Sequence, residues 1–217
     1  VRSRLLSLLI EIRIGGLLLA GLALWVFAQI AEEVLEAESY AFDTSILLTV
    51  RSWHTPLLDL VMLGVTFIGD PFGLLISCVI LGAWLLERKQ KSEATTLAIA
   101  AMGAIGLNVL LKRLFSRDRP ALWERVVDVG QYSFPSGHGM VSVVIYGFIG
   151  YILAVRYRRQ QVWIISLTTI LITAIGFSRL YLGVHWPTDI IAGYAAGLVW
   201  LITCISSSKI WHRYRAK

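Results

Sequence analysis

The fold class this sequence predicts is all-α: a polytopic membrane protein with six transmembrane helices. Three observations predict it. Hydrophobic residues make up 57% of the 217-residue chain, and the mean hydropathy of +0.70 exceeds what a water-soluble domain carries. The apolar residues gather in unbroken runs near the ~20 residues that cross a ~30 Å hydrocarbon core as a helix. Charged residues, 16% of the chain, fall mostly between those runs.

The runs are Ile14–Ala31, Pro71–Leu86, Ala94–Leu111, Gly139–Val155, Val162–Phe177 and Ile190–Ser208. Some are short for a span, but terminal Trp, Tyr or Ser residues extend such helices into the interfacial zone. Arg2, Arg4 and Arg13 before the first run raise the alternative of a cleaved signal peptide. A signal's apolar region is ~7–15 residues long and ends at a small-x-small site. This run is longer and passes into Ala31-Glu32-Glu33, so it is predicted to be a retained span. Leu57–Ile68 contains Asp59 and is closed by Gly69-Asp70-Pro71. That length predicts a short interfacial or re-entrant helical segment after the first span. With no hydrophilic domain, low-complexity tract or internal repeat, residues 1–217 read as a single membrane domain. Cys78 and Cys204 lie apart inside apolar runs, a pattern of neither a disulfide framework nor a zinc site.

Charge orients the spans. Basic residues follow the second span (Arg88, Lys89, Lys91), the fourth (Arg156, Arg158, Arg159) and the sixth (Lys209, Arg213, Arg215, Lys217), and others precede the first. All lie on one side in the six-span topology, and the positive-inside rule makes that side the cytoplasm, with both termini there. The opposite side holds the acidic stretch Glu32, Glu33, Glu36 and Glu38. Its basic residues are Arg51, Lys112, Arg113, Arg117, Arg119, Arg125 and Arg179, and all but Arg51 crowd into two places. A topology signal broken only locally needs a local reason, and anion binding supplies one. Nucleic acid is excluded as a partner, because the net charge of +6 is accounted for by topology and anionic headgroups. Nothing in the sequence points to an obligate protein partner.

Three clusters emerge on that outer face. Lys112-Arg113-Leu114-Phe115-Ser116-Arg117-Asp118-Arg119-Pro120 ends the third span. Lys112 and Arg119 can approach one dianion from different sides, as point charge and as bidentate fork. Alone, the cluster is also what a belt of snorkelling cations would look like. Phe134-Pro135-Ser136-Gly137-His138 precedes the fourth span. A Ser-Gly-His step at a helix start offers backbone N–H groups and a hydroxyl to a phosphate, with His138 able to protonate a leaving group. An ordinary Ser cap beside an interfacial His is the plainer alternative. The third cluster, Ser178-Arg179 through His185-Trp186-Pro187-Thr188-Asp189, joins the fifth and sixth spans. His185 and Asp189, four residues apart across a first helical turn, can pair so that the carboxylate fixes the tautomer and frees the other nitrogen for attack. A capping Asp with a passive His is the alternative there.

These residues resemble the three-part signature of the type 2 phosphatidic acid phosphatase superfamily, KxxxxxxRP, PSGH and SRxxxxxHxxxD, matched by Lys112–Pro120, Pro135–His138 and Ser178–Asp189. The motif region is 112–189; everything before Ala94 rests on topology. The resemblance implies that His185 attacks phosphorus to form a phosphohistidine. It also implies that Asp189 orients His185 and that His138 protonates the departing oxygen. Lys112, Arg119, Ser136, Gly137 and Arg179 would hold the phosphoryl oxygens. No cluster of metal-ligand spacing appears, so the expected chemistry needs no metal and no other cofactor.

The implied activity is a membrane lipid phosphatase acting on a phosphomonoester or pyrophosphate, such as phosphatidylglycerophosphate, phosphatidic acid, diacylglycerol pyrophosphate or undecaprenyl diphosphate. A lipid phosphotransferase using the same phosphohistidine is the alternative, and an anion transporter a remote one, since the spans hold almost no charges that could mark a path. Trp53, Trp123, Tyr132, Phe134 and Trp186 are predicted to sit at the bilayer interface. Residues 35–68 are predicted to shape the lipid entrance. The whole looks like a multi-pass enzyme of a bacterial cytoplasmic membrane with its site on the outer side.

Overall fold

A computed structural model describes the backbone of residues 2–124, 127 and 129–215, and the side chains of 14–124, 127 and 129–209. Eight α-helices make up most of it: α1 (Arg2–Leu35), α2 (Tyr40–Arg51), α3 (Pro56–Gly69), α4 (Pro71–Glu87), α5 (Lys91–Phe115), α6 (Gly137–Arg156), α7 (Gln161–Tyr181) and α8 (Pro187–Arg215). A 3-10 turn, Arg158–Gln160, leads into α7. Among the described residues the one β-pairing is an isolated bridge between Asp118 and Tyr132.

Ile14–Leu35, Lys91–Phe115, Gly137–Arg156, Arg158–Tyr181 and Pro187–Lys209 are each long and apolar enough to cross a membrane. Pro71–Glu87 is 17 residues long and follows Pro56–Gly69 after a bend of 51°; the pair is long and apolar enough for one further crossing, as a broken span or with Pro56–Gly69 as the re-entrant segment that the sequence predicts. Gly69-Asp70-Pro71 ends α3, as its sequence suggests, and starts α4 in a new direction. Pro71 has no N–H to continue the ladder, and Asp70 is extended at φ −70°, ψ 157°.

Local chemistry sets the other boundaries. Thr55 caps α3 by accepting from the Leu58 amide at 3.3 Å, with Pro56 in the first turn. Ser116 ends α5 in the left-handed region, φ 46°, and so turns the following cations back over the helix end. Ser136 caps α6, accepting from the Gly139 amide at 3.3 Å.

Helix α6 is the central helix. Burial reaches 56% of its most apolar window, against 17% for α1 and α7. It packs on α5, α7 and α8, while α1 lies against α8. The α6–α8 contact is close because α8 carries Gly193 and Gly197. A Cβ on Gly193 would meet the Ser136 carbonyl oxygen at 2.8 Å, and one on Gly197 the Met140 oxygen at 2.6 Å. This small-xxx-small pattern lets backbones approach where lipid removes the hydrophobic drive between helices. Leu74, Ala100, Ala104, Val144, Ile145 and Ile175 form a core cluster from α4 to α7. Large apolar side chains such as Leu18 and Val162, both 69% exposed, cover the outside as a lipid-facing belt. Cys78 and Cys204 are free thiols.

The ends of α5 and α7, the starts of α6 and α8, and the α3–α4 break converge at one end of the bundle, where Asp70 meets His138 and Arg119 meets His185.

Candidate active site

His185 follows Gly183, which is left-handed at φ 66°, in the tight turn from α7 to α8. The imidazole is 2% exposed. Its Nδ1 lies 3.2 Å from Asp189 Oδ2, the first-turn pairing that the four-residue spacing suggests. Its Nε2 lies 3.2 Å from Arg119 Nη1. A guanidinium only donates, so Nε2 must accept there, and Nδ1 carries the proton given to Asp189. The geometry therefore selects one tautomer. Burial above all, then the Arg119, Lys112 and Arg179 charges and His138, hold the His185 pKa well below the ordinary imidazole value. The ring is neutral at neutral pH, with its Nε2 lone pair directed toward the cations.

These residues open on a cavity of about 460 Å³ lined by Thr66, Asp70, Lys112, Arg119, Gly137, His138, Arg179 and His185, among others. Lys112, Arg119 and Arg179 thus come from three segments to one wall. Lys112 Nζ donates to the Tyr132 and Ser133 carbonyls at 2.8 and 3.1 Å. Arg119 donates to the Gly130 and Val184 carbonyls at 2.5 and 2.6 Å. Arg179 Nη1 donates to Thr66 Oγ1 at 2.6 Å, and its buried Nε has no partner among the described residues. His138 Nε2 lies 2.6 Å from Asp70 Oδ1, forming a second imidazole–carboxylate pair across the cavity from the first.

The structure brings together every predicted site residue except Ser136 on or directly behind this wall. Ser136 is fully buried, its hydroxyl engaged as the α6 cap. Asp189 is also fully buried and stands behind His185. The remaining outer cations divide. Arg113 is exposed, Arg51 lies over the Trp123 ring at 5.3 Å, and Arg125 lies outside the described residues. Arg117 turns inward, away from the cavity. Of the cations in the outer clusters, Lys112, Arg119 and Arg179 line the cavity, so the anion-binding expectation narrows to these three. Two interfacial aromatics also need correcting. Phe134 is fully buried, packed on Phe27 and Phe115. Trp186, 6% exposed, is occupied by Arg117 and Tyr40.

Sequence reasoning missed several residues at the site: Asp70, Thr66 and, behind His185, Asp43 with Arg117. Arg117 Nη1 donates to Asp189 Oδ1 at 2.8 Å, and Nη2 donates to Asp43 Oδ2 at 2.7 Å. Burial alone would lower the Arg117 pKa, but Asp189 and Asp43 raise it instead, so the guanidinium stays charged. A signal for Asp43 and Asp70 existed. An ionisable residue inside or between apolar membrane helices is a functional candidate by its cost alone.

Fold and site together define a polytopic α-helical membrane protein with a cation-lined cavity beside a buried His–Asp pair. The model of the PAP2 superfamily matches residues 93–213, and the chain belongs to that superfamily. It is 30% identical over 167 residues to phosphatidylglycerophosphatase B of Bacillus subtilis (strain 168), covering 75% of this chain and 81% of that protein. It is also 30% identical over 121 residues to the undecaprenyl-diphosphatase of Sulfolobus acidocaldarius, covering 52% of this chain and 54% of that one. The crystal structure of a transmembrane PAP2-type phosphatidylglycerolphosphate phosphatase from Bacillus subtilis superposes with a TM-score of 0.82 at 25% identity, over 88% of this chain and 96% of that chain.

Proposed function

We propose that this protein is a lipid phosphatase working through a covalent phosphohistidine. The observation that carries the reading is the His185 ring, with one nitrogen held by Asp189 and the other opening on Lys112, Arg119 and Arg179. A neutral imidazole with a fixed tautomer is a ready nucleophile. Cations around it are what a phosphoryl group needs, since the catalysis of its transfer is mostly positioning and charge neutralisation.

In the first half-reaction Nε2 of His185 bonds to phosphorus as the phosphorus–oxygen bond to the lipid breaks, and His138 gives its proton to the leaving oxygen. Asp189 stabilises the positive charge that the ring acquires. In the second, water attacks phosphorus, His138 takes the water proton, and the phosphorus–nitrogen bond breaks. Inorganic phosphate leaves and His185 is restored. Arg119 Nη1 stands at attack distance from Nε2, so phosphate entry exchanges its His185 and Val184 contacts for phosphoryl oxygens. Gly137 lines the cavity at the start of α6 and packs so close to Asn108 that a Cβ would meet its Oδ1 at 3.0 Å, while Ser136 fixes that start as its cap.

The activities of the named relatives support a lipid substrate, and the position of the cavity at a bundle end, level with the helix termini, suits a headgroup whose chains stay in the bilayer. The basic connections 88–91 and 156–159 lie at the opposite end and support an outward-facing site by the positive-inside rule. An impermeant thiol reagent applied to intact cells would label a cysteine placed at Gly130 if this is right; labelling only after lysis would reverse the orientation.

The central test is phosphate release by the purified protein from a panel of lipid monophosphates and diphosphates, without acceptor lipid and with excess chelator. Release is expected from at least one lipid and is expected to vanish in His185→Gln. Undiminished release by that variant would overturn the assignment of His185. Labelled phosphate appearing only on an added acceptor lipid would indicate a phosphotransferase.

A further inference from the structure

Behind the His185–Asp189 pair lies a closed polar cluster that the proposed chemistry has not yet used. Asp43, on α2, is fully buried. Its Oδ1 accepts from the Thr188 amide at 3.1 Å, and its Oδ2 accepts from the Thr188 hydroxyl at 2.6 Å and from Arg117 Nη2 at 2.7 Å. Arg117, 5% exposed, donates on its other side to Asp189 Oδ1 and Thr188 Oγ1, both at 2.8 Å, and also to Ser39 Oγ at 2.9 Å. The guanidinium lies between the rings of Tyr40 and Trp186, at 5.1 and 5.4 Å.

We infer that Asp43 is a positioning residue for the phosphoryl-transfer step, acting on His185 through Arg117 and Asp189. Position is one part of the argument. Asp43 holds a first-turn amide of α8, the turn that carries Asp189, so a separate helix fixes where that carboxylate stands. Charge is the other part. With Arg117 alone behind it, Asp189 would have its charge cancelled by a cation at 2.8 Å. Asp43 shares that cation at 2.7 Å, so Asp43, Arg117 and Asp189 together keep one net negative charge. That charge has no cation of its own until phosphorylation makes the His185 ring positive. The cluster is thus matched to the transition state more than to the resting ring. A purely structural ion pair would need only one carboxylate.

The inference rests on the phosphatase reading, and the experiment separates their failures. Asp43→Asn keeps the shape and removes the charge. With a lipid phosphate substrate in detergent, kcat is expected to fall about 10- to 100-fold, while KM changes less than about threefold. Inhibition by vanadate, which can adopt the five-coordinate geometry of phosphoryl transfer, is expected to weaken in step with kcat/KM, while inhibition by inorganic phosphate stays near wild type. A folded variant whose kcat matches wild type overturns the inference, and so does equal weakening of vanadate and phosphate inhibition. If Asp43→Asn does not fold, Thr188→Val carries the test, because it cuts the hydroxyl bridge without changing charge. A lower kcat at unchanged KM supports the inference, and an unchanged kcat overturns it. Wild-type protein that releases no phosphate and ignores vanadate would sink the phosphatase reading itself.

Discussion

Replacing Asp189 with Asn tests the charge logic of the site most directly. The carboxylate lies 3.2 Å from His185 Nδ1, so its charge centre falls roughly 4 Å from that of the ring. At the effective dielectric of ~20 suited to protein sites, unit charges at that separation interact by about 4 kcal/mol. The interaction is absent while the ring is neutral and present once Nε2 bonds to phosphorus, so nearly all of it should appear in kcat. About 4 kcal/mol corresponds to about 10³-fold in rate. The amide can also present its NH₂ to Nδ1, which would favour the wrong tautomer and add to the loss. Folding should survive, because Arg117 keeps its 2.7 Å contact with Asp43. The assay is phosphate release together with acid-quench trapping of phosphohistidine from labelled lipid, with thermal unfolding in detergent as control. A folded Asp189→Asn protein within tenfold of wild-type kcat would refute the reasoning.

Arg119→Gln should raise KM, because a phosphate ligand is lost. It should also move the acid limb of kcat/KM upward, since a cation that holds the His185 pKa low is gone; an unmoved limb with unchanged KM would count against its place at Nε2. The depressed His185 pKa also fixes a stability trend. The unfolded ring binds a proton near pH 6.5 and the folded ring does not, so this stabilisation is present above that pH and is lost as pH falls through the folded value. The unfolding midpoint should drop from pH 7.5 to pH 5, and drop less in His185→Gln. Asp70→Asn should remove the carboxylate that holds the His138 ring and lower kcat by about tenfold or more; a folded variant with wild-type kcat would count against that role. Gly193→Leu should destabilise the fold by at least about 1–3 kcal/mol by overpacking against the Ser136 backbone, read as a lower unfolding midpoint.

The parts of this protein that were legible in the sequence are those encoded by local pattern. Apolar runs gave the helices crossing the bilayer, and fixed spacings gave the residues around His185. What escaped was set by tertiary contact. Asp43 is 74 residues from Arg117 and 145 from Thr188, so its charge among apolar residues marks it as a candidate without naming its partners. The run Lys112 to Arg119 offers cations at adjacent positions with no sign of which faces where. The left-handed Ser116 redirects the chain there, so that Arg117 points behind His185 and Arg119 in front of it. Gly69-Asp70-Pro71 is written like a helix end and is one, but only packing reveals that this break places Asp70 on His138.

The same packing gives the cations gathered at this end of the bundle their places. They belong to an arrangement ordered along the attack direction, with Lys112, Arg119 and Arg179 on the cavity side of the His185 ring and the Asp43–Arg117–Asp189 cluster behind it. In the proposed reaction, as phosphorus passes from the lipid oxygen to Nε2, its negative oxygens would stay among the cations while positive charge grows on the ring beside the carboxylates. Each developing charge meets a fixed partner of opposite sign, so little reorganisation is needed at the moment of reaction. A site at a membrane surface, partly walled from water, strengthens both interactions. In the proposed reaction, separating cations from carboxylates across a single imidazole would neutralise the phosphoryl oxygens and also stabilise the phosphohistidine, which a cation wall alone would repel.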